Sequence, residues 1–250
     1  MHNTIKRNRH LWLLSGTGEG PNIANLLVGD GWRVTVSVVS KKASEAYSGI
    51  SLDQLWVGAI GGTVGILKIL NKAKKEHDGF HCLIDATHPF ATLISSDLQK
   101  VCSEIGQKMI RYERTFEEIN GATIIKDVND LAGLDLRDKR FLMALGSRHL
   151  SKASCIAQNS GASVFARILP TPVSFQNALK SLIPEYQIAL LTPKKGNIFG
   201  AYESALCRKW EITDVLCRQS GGISEQIWHS VCKKEKINLW LISRPFIGKS

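Results

Sequence analysis

The sequence predicts an α/β protein built as two domains, each around a mainly parallel sheet. Three observations carry that expectation. Short β-rich runs alternate with helical patterns of roughly 10–15 residues, as strand–helix–strand units require. The alternation occurs as two series, separated by a polar stretch over residues 117–138. Several of the strand-like runs are continuously apolar, as strands covered on both faces by helices are. A boundary near residue 115 follows, giving domains 1–115 and 116–250.

Taken in order, the first element is the apolar run LWLLS at 11–15, which breaks at GTGEG. Pro21 then opens a helix with Ile23, Leu26 and Leu27 on its apolar face, because proline's missing N–H has no partner to lose in a first turn. Gly31 stands where a left-handed cap would end it. A strand over 33–40 follows, then a Gly-rich turn at 58–65 and a helix running through Lys75. CLIDAT at 82–87 reads as another buried strand, succeeded by a helix from about residue 90 to 105 and by KMIRYER at 108–114. The second series places strands at 141–147, 163–170, 187–193, 213–220 and 238–245, with helices between them.

Composition narrows the partners. Lys and Arg number 32 against 22 Asp and Glu, a net +10 that favours an acidic partner: nucleic acid, an anionic membrane or a small polyanion. The basic residues are dispersed, without a zinc finger, an aromatic–basic RNA motif or a long basic helix, which argues against nucleic acid. No apolar run is long enough to span a bilayer or serve as a signal peptide, so no membrane partner and a cytoplasmic location are expected. The six cysteines show no CxxC spacing and no accompanying His cluster. Reduced thiols and no metal site are therefore expected. A monomer is the default oligomeric expectation.

In parallel sheets ligands bind beyond the carboxyl ends of the strands, which directs attention to the loops after residues 15, 40, 85, 147, 192 and 220. Gly16-Thr17-Gly18-Glu19-Gly20 could let a phosphate approach the backbone donors at a helix N-terminus. The third glycine comes one position earlier than in GxGxxG, and the loop reads equally as an ordinary strand-to-helix turn. At the end of the second strand, Ser40-Lys41-Lys42 stand where NAD enzymes place an acid for the ribose 2′-hydroxyl. A hydroxyl and cations suit a 2′-phosphate, although two lysines also suit a solvated face. Asp85-Ala86-Thr87-His88-Pro89-Phe90-Ala91 brings polar groups to the sheet edge. Asp85 and Thr87 could contact a cofactor or merely cap a helix, and His88 could donate a proton or make one local hydrogen bond. Arg167, Arg218 and Arg244, at or near strand ends of the second series, could clamp carboxylates or form structural ion pairs.

Together SGTGE at 15–19, DATHPFA at 85–91, Arg-Tyr-Glu-Arg at 111–114, ARILP at 166–170, SGG at 220–222 and SRP at 243–245 resemble the precorrin-6A reductase family in order and spacing. The resemblance spans nearly the whole chain, and DATHPFA is its most specific motif. It implies two Rossmann-like domains with NADPH in the cleft between them. The implied reaction reduces precorrin-6A, or its cobalt-containing counterpart, to the 6B dihydro form in corrin (vitamin B12) biosynthesis, a polycarboxylate tetrapyrrole being the substrate. The family's nucleotide loop falls on Gly16, Thr17, Gly18 and Glu19 and its cofactor edge on Asp85, Thr87 and His88; with Ala86 and the Ser40 and Lys41 read above, these are the expected cofactor contacts, Asp85 and His88 being the catalytic candidates. The family's second Gly-rich turn falls on Gly61, Gly62 and Gly65 and its second-domain turn on Ser220, Gly221 and Gly222; Gly61, Gly62 and the latter turn, with the clamp candidates Arg167 and Arg244, are the expected substrate contacts. The chain departs from the family with Thr115 in place of a proline, Trp228 near the place of a lysine, and Arg218 where a lysine often stands. The first domain's motifs therefore carry over more directly than the second's.

Two rival readings remain in view. A short-chain dehydrogenase needs Tyr-x-x-x-Lys, but Ser51, Phe116, Leu190 and Leu206 stand four places beyond the tyrosines. Another NADP-dependent reductase on a similar scaffold, or a basic nucleic-acid binder, are the alternatives to the family reading.

Overall fold

The computed structural model describes residues 9–114, 121–193 and 199–245. They fall into two compact units: the described residues up to Glu113 together with Pro245, and Arg114–Arg244.

The first unit runs β1 (His10–Ser15), α1 (Gly20–Gly29), β2 (Arg33–Val38), α2 (Lys41–Ser44), β3 (Gln54–Val57), α3 (Gly62–His77), β4 (Cys82–Ala86), α4 (Thr92–Ile105) and β5 (Met109–Arg111). Its sheet has the order β3-β2-β1-β4-β5, and every pairing is parallel. All six residues of β1 are buried, and their alternation serves two cores. Leu11 and Leu13 pack with Ala24 of α1, Val34 and Val36; Trp12 and Leu14 pack with Ile66, Leu70 and Leu98 of α3 and α4. Trp12 donates its indole N–H to Ser37 Oγ at 2.7 Å, so the largest buried side chain of the strand leaves no polar atom unmet.

The second unit runs β6 (Ala122–Ile125), β7 (Arg140–Met143), α5 (Leu150–Asn159), β8 (Ser163–Ile168), α6 (Pro172–Leu179), β9 (Ile188–Leu190), α7 (Ala201–Lys209), β10 (Asp214–Arg218), α8 (Ile223–Glu235) and β11 (Asn238–Ile242). The order is β6-β11-β10-β7-β8-β9, again all parallel. Trp228, Ile227 and Val231 of α8 and Cys207 of α7 bury against Leu142, Phe165, Val215 and Cys217. Asp214, 1% exposed, is satisfied by Thr213, Asn238 and Trp240.

The expected α/β class with two parallel sheets is what the chain adopts. Four local expectations need correction. Residues 54–57, read as part of a connection, form the edge strand β3; its residues are half-buried or exposed, so no apolar run marked it. The Gly-rich turn is shorter than 58–65, because α3 already begins at Gly62. The polar stretch 117–138 contains a second edge strand, β6, beside β11. The helix expected from about residue 90 starts at Thr92: Ala91 N donates to His88 O at 2.7 Å, closing a turn through Pro89 and Phe90 first.

Candidate functional site

The strand order of the first unit reverses between β1 and β4, with β2 and β3 on one side and β5 on the other. The register sets Ser15 opposite Ala86, so the glycine turn after β1 and the Asp85–His88 corner after β4 leave the sheet side by side. Gly16 N and Thr17 Oγ1 both donate to Ala86 O, at 3.2 and 3.3 Å. A Cβ on Gly16 would lie 3.1 Å from His88 N and 3.3 Å from Thr87 Cα, so glycine lets the two loops touch. A Cβ on Gly20 would come within 3.0 Å of Ser15 Oγ and Tyr47 Oη, whereas one on Gly18 would meet nothing within 4 Å. Two of the three glycines are thus demanded by the protein's own packing, and the middle one is not. Glu19 is the first flanking residue of α1 and supplies no side-chain cap, leaving the helix start to its backbone donors.

Asp85 is fully buried and closes the neighbouring corner. Its carboxylate accepts from Thr87 N at 3.0 Å, from Thr87 Oγ1 at 2.7 Å and from Arg111 Nη1 of β5 at 2.5 Å. Arg111 Nη1 also donates to Ser95 Oγ of α4, whose hydroxyl lies 3.2 Å from Thr87 Oγ1. Three side chains, from β4, α4 and β5, therefore fix Thr87. His88 is half-buried, and its Nδ1 accepts from Phe90 N at 3.2 Å. An accepting Nδ1 places the neutral ring's proton on Nε2, a tautomer assigned from that hydrogen bond.

Ser40 ends the loop after β2 and caps α2, its Oγ accepting from Ala43 N at 3.3 Å; Ser40, Lys41 and Lys42 are exposed. Gly61 and Gly62 have φ of 88° and 66° at the start of α3, a left-handed backbone that favours glycine. Gly65, within that helix, leaves no room for a Cβ beneath Ile60 O.

In the second unit, Ser220, Gly221 and Gly222 lead from β10 into α8. Gly221 N donates to Glu225 Oε2 at 2.6 Å, and His229 Nε2 lies 3.4 Å from Glu225 Oε1. Burial raises the Glu225 carboxyl, but the His229 and Gly221 contacts outweigh it and hold the group below its ordinary value. Arg114 Nη1 donates to Ser220 O at 3.3 Å, and its guanidinium fills the space a Cβ on Gly222 would take. Arg244 Nη1 donates to Arg114 O at 2.8 Å. Arg167 is 6% exposed and faces Glu203 of α7 at 3.5 Å; burial holds its guanidinium below the usual range despite that carboxylate. Of the arginines, Arg167 is thus already engaged in the interior.

The sequence reading did not single out Arg111, Ser95, Arg114 or Glu225 individually. Arg111 and Arg114 lay within the quoted Arg-Tyr-Glu-Arg motif, but only strand pairing brings Arg111 beneath Asp85. Glu225 stands three places beyond Gly222, the spacing of a capping box, which could have flagged it. Among the described residues no cluster of His, Cys, Asp and Glu could hold a metal ion, and no helix is long and apolar enough to cross a membrane. All six cysteines are free, with Cys155 exposed; burial pushes the Cys207 and Cys232 thiols up to about 12, leaving them protonated and inert.

A sheet ordered 3-2-1-4-5 with a glycine turn and a helix start at its point of reversal is the architecture of dinucleotide-binding α/β proteins. Comparison with known proteins makes the assignment particular. The family model described as precorrin-6x reductase CbiJ/CobK matches residues 10–250, and the chain belongs to that family of reductases. It is similar to the cobalt-precorrin-6A reductase of Synechocystis sp., 29% identical over 94% of this chain and 88% of the relative. It is also similar to the precorrin-6A reductase of Rhodobacter capsulatus, 23% identical over 95% of this chain and 88% of the relative. A solved structure described as CobK precorrin-6A reductase shares the fold, with a TM-score of 0.72 and 23% identity, covering 96% of this chain and 90% of that one.

Proposed function

We propose that the chain uses NADPH to reduce one double bond of precorrin-6A, or of its cobalt-containing form, to the dihydro 6B product. The observation that carries this reading is the meeting of Gly16–Gly20 and Asp85–His88 at the reversal of the first sheet, in a member of a reductase family. The residues present fit a dinucleotide. Gly18 offers an uncluttered face at the start of α1, where backbone donors and the helix dipole favour a diphosphate. The turn 16–19 is assigned to the diphosphate, and Ser40 with Lys41 to the 2′-phosphate. The end of β2 presents a hydroxyl and two cations there and no carboxylate.

Bound nicotinamide would supply the hydride. The chain's part is to hold and to protonate. Asp85 acts as a positioning residue: sealed in the sheet, it fixes Thr87 directly and through Arg111 and Ser95. Ala86 O holds the glycine turn against the same corner. We assign the required proton to His88 as its imidazolium, which gives the proton from Nε2 and is left neutral; the Nδ1 contact with Phe90 N belongs to the resting neutral ring. Ser220, Gly221, Gly222 and Arg244 are assigned to the acidic periphery of the tetrapyrrole, whose acetate and propionate groups suit a chain of net charge +10.

The test is NADPH oxidation measured in parallel with metal-free and cobalt-loaded precorrin-6A, and with NADH in place of NADPH. Oxidation of NADPH by one or both tetrapyrroles is expected. Replacing Lys41 and Lys42 together by Ala should erase most of the preference for NADPH over NADH. Oxidation with neither tetrapyrrole refutes the substrate; an unchanged coenzyme preference refutes the 2′-phosphate assignment.

A further inference from the structure

The second sheet has its own point of reversal, between β7 and β10, with β8 and β9 outward on one side and β11 and β6 on the other. Met143 pairs with Leu216, and Ala144 N donates to Leu216 O at 2.8 Å, so the loops leaving these two strands start side by side. After β7 the chain passes through Gly146, whose φ of 80° and ψ of 163° only glycine adopts cheaply, into a single tight turn over Ser147–His149. Asn177 of α6 donates to Ser147 Oγ at 3.3 Å and steadies that turn. After β10 come Ser220 and Gly221, braced by Glu225.

Into this corner the fold gathers cations. Alternation along β10 turns Arg218 away from Val215 and Cys217, which pack with α7 and α8 residues, and toward the opposite face. Arg148 and Lys152 occupy the loop and the first turn of α5. They lie close enough to act on one another. Burial first, then Arg218, Arg148 and Lys152, hold the His149 imidazole below its ordinary value; burial and then Arg148 do the same to Arg218. An acidic ligand group seated among these cations would be held by charge-assisted contacts. Open parallel sheets bind ligands at such reversals.

The geometry points to a carboxylate-binding subsite formed by Ser147, Arg148 and His149 after β7 and by Arg218 after β10, which takes one acidic side chain of the tetrapyrrole. The identity of that carboxylate rests on the reductase reading above. A nucleotide phosphate would suit the same donors, and the measurements separate the two.

Arg148 is exposed, so Arg148→Gln should fold as the parent does; Arg218→Lys retains the charge but removes the planar fork. Three quantities are read for each: KM and kcat with the tetrapyrrole, Kd for NADPH, and Kd for uroporphyrin, a tetrapyrrole whose side chains all end in carboxylates. Loss of one charge-assisted contact should raise both KM and the uroporphyrin Kd roughly tenfold. The turnover number should stay within about twofold, and NADPH affinity should not change. Weakened NADPH binding with an unchanged KM would reassign the corner to a phosphate and overturn the proposal, as would variants identical to the parent in all three readings. If the parent reduces neither precorrin, the reductase reading fails; uroporphyrin binding lost in Arg148→Gln would still support the subsite, and its retention would remove it.

Discussion

Alanine placed at Gly20 and at Gly29 should move stability in opposite directions, although both lie in α1 and neither has a left-handed backbone. In a helix alanine is favoured over glycine by about 1 kcal/mol, because it restricts the unfolded chain without adding a polar group. A Cβ at Gly29 meets nothing within 4 Å, so most of that gain should appear. At the last residue of the helix we expect ~0.5–1 kcal/mol. At Gly20 the same methyl would press within 3.0 Å of Ser15 Oγ and Tyr47 Oη and stand 2.9 Å from Ser15 Cβ. Ser15 is fixed in the all-buried strand β1, and Tyr47 is only 3% exposed, so neither can swing into solvent. Overpacking of this kind costs about 1–3 kcal/mol, and the rigidity of both neighbours places it at the upper end, leaving a net loss of ~2 kcal/mol after the helix gain. For a chain of this size about 2–4 °C of Tm accompanies each kcal/mol, so thermal unfolding followed by circular dichroism should show Gly29→Ala about 2 °C up and Gly20→Ala about 4–8 °C down. Tyr47→Phe in the Gly20→Ala background should recover part of the loss, since it deletes one of the colliding atoms. A Gly20→Ala protein as stable as its parent would refute the packing account of this glycine.

Three further outcomes follow from the geometry. Gly18→Ala, which meets no protein atom, should leave stability within about 0.5 kcal/mol of the parent yet weaken NADPH at least tenfold in equilibrium titration; unchanged affinity would remove the diphosphate from the turn. Asp85→Asn leaves the largely buried Arg111 beside a neutral group and should cost about 3 kcal/mol or more, seen as a lower urea midpoint at constant slope. Glu225 is held below 4.5 in the folded protein, so it binds fewer protons folded than unfolded. Its contribution is present in full above 4.5 and is lost as pH falls through the lower folded value, so the parent's advantage over Glu225→Gln should fade in acid unfolding titrations.

The two-sheet α/β class was legible because buried parallel strands such as β1 and β7 lie in continuous apolar runs, and the run length detects them. The edge strands β3 and β6 were not, since half-exposed residues such as Gln54 and Leu55 carry no run to find. The glycine turn and the Asp85–His88 corner were visible as motifs at strand ends. Their adjacency was not, because a sequence does not state that β4 lies beside β1. The same limit hid Arg111, 26 residues from Asp85, and the gathering of Arg148 with Arg218, which depends on β7 lying beside β10. Residue types at strand ends can be read locally, whereas ionic partnerships across strands need the order of the sheet.

One consequence of the Arg111 tie reaches beyond the corner it closes. β5 is a three-residue margin of the sheet with Ile110 exposed at its middle, the kind of ladder that opens first in hydrogen exchange. Each such opening would withdraw a guanidinium from beneath the fully enclosed carboxylate of Asp85 and slacken the Thr87 loop. The tempo at which this frayed hem re-forms, rather than the solidity of the central strands, would then set how steadily the corner keeps its shape.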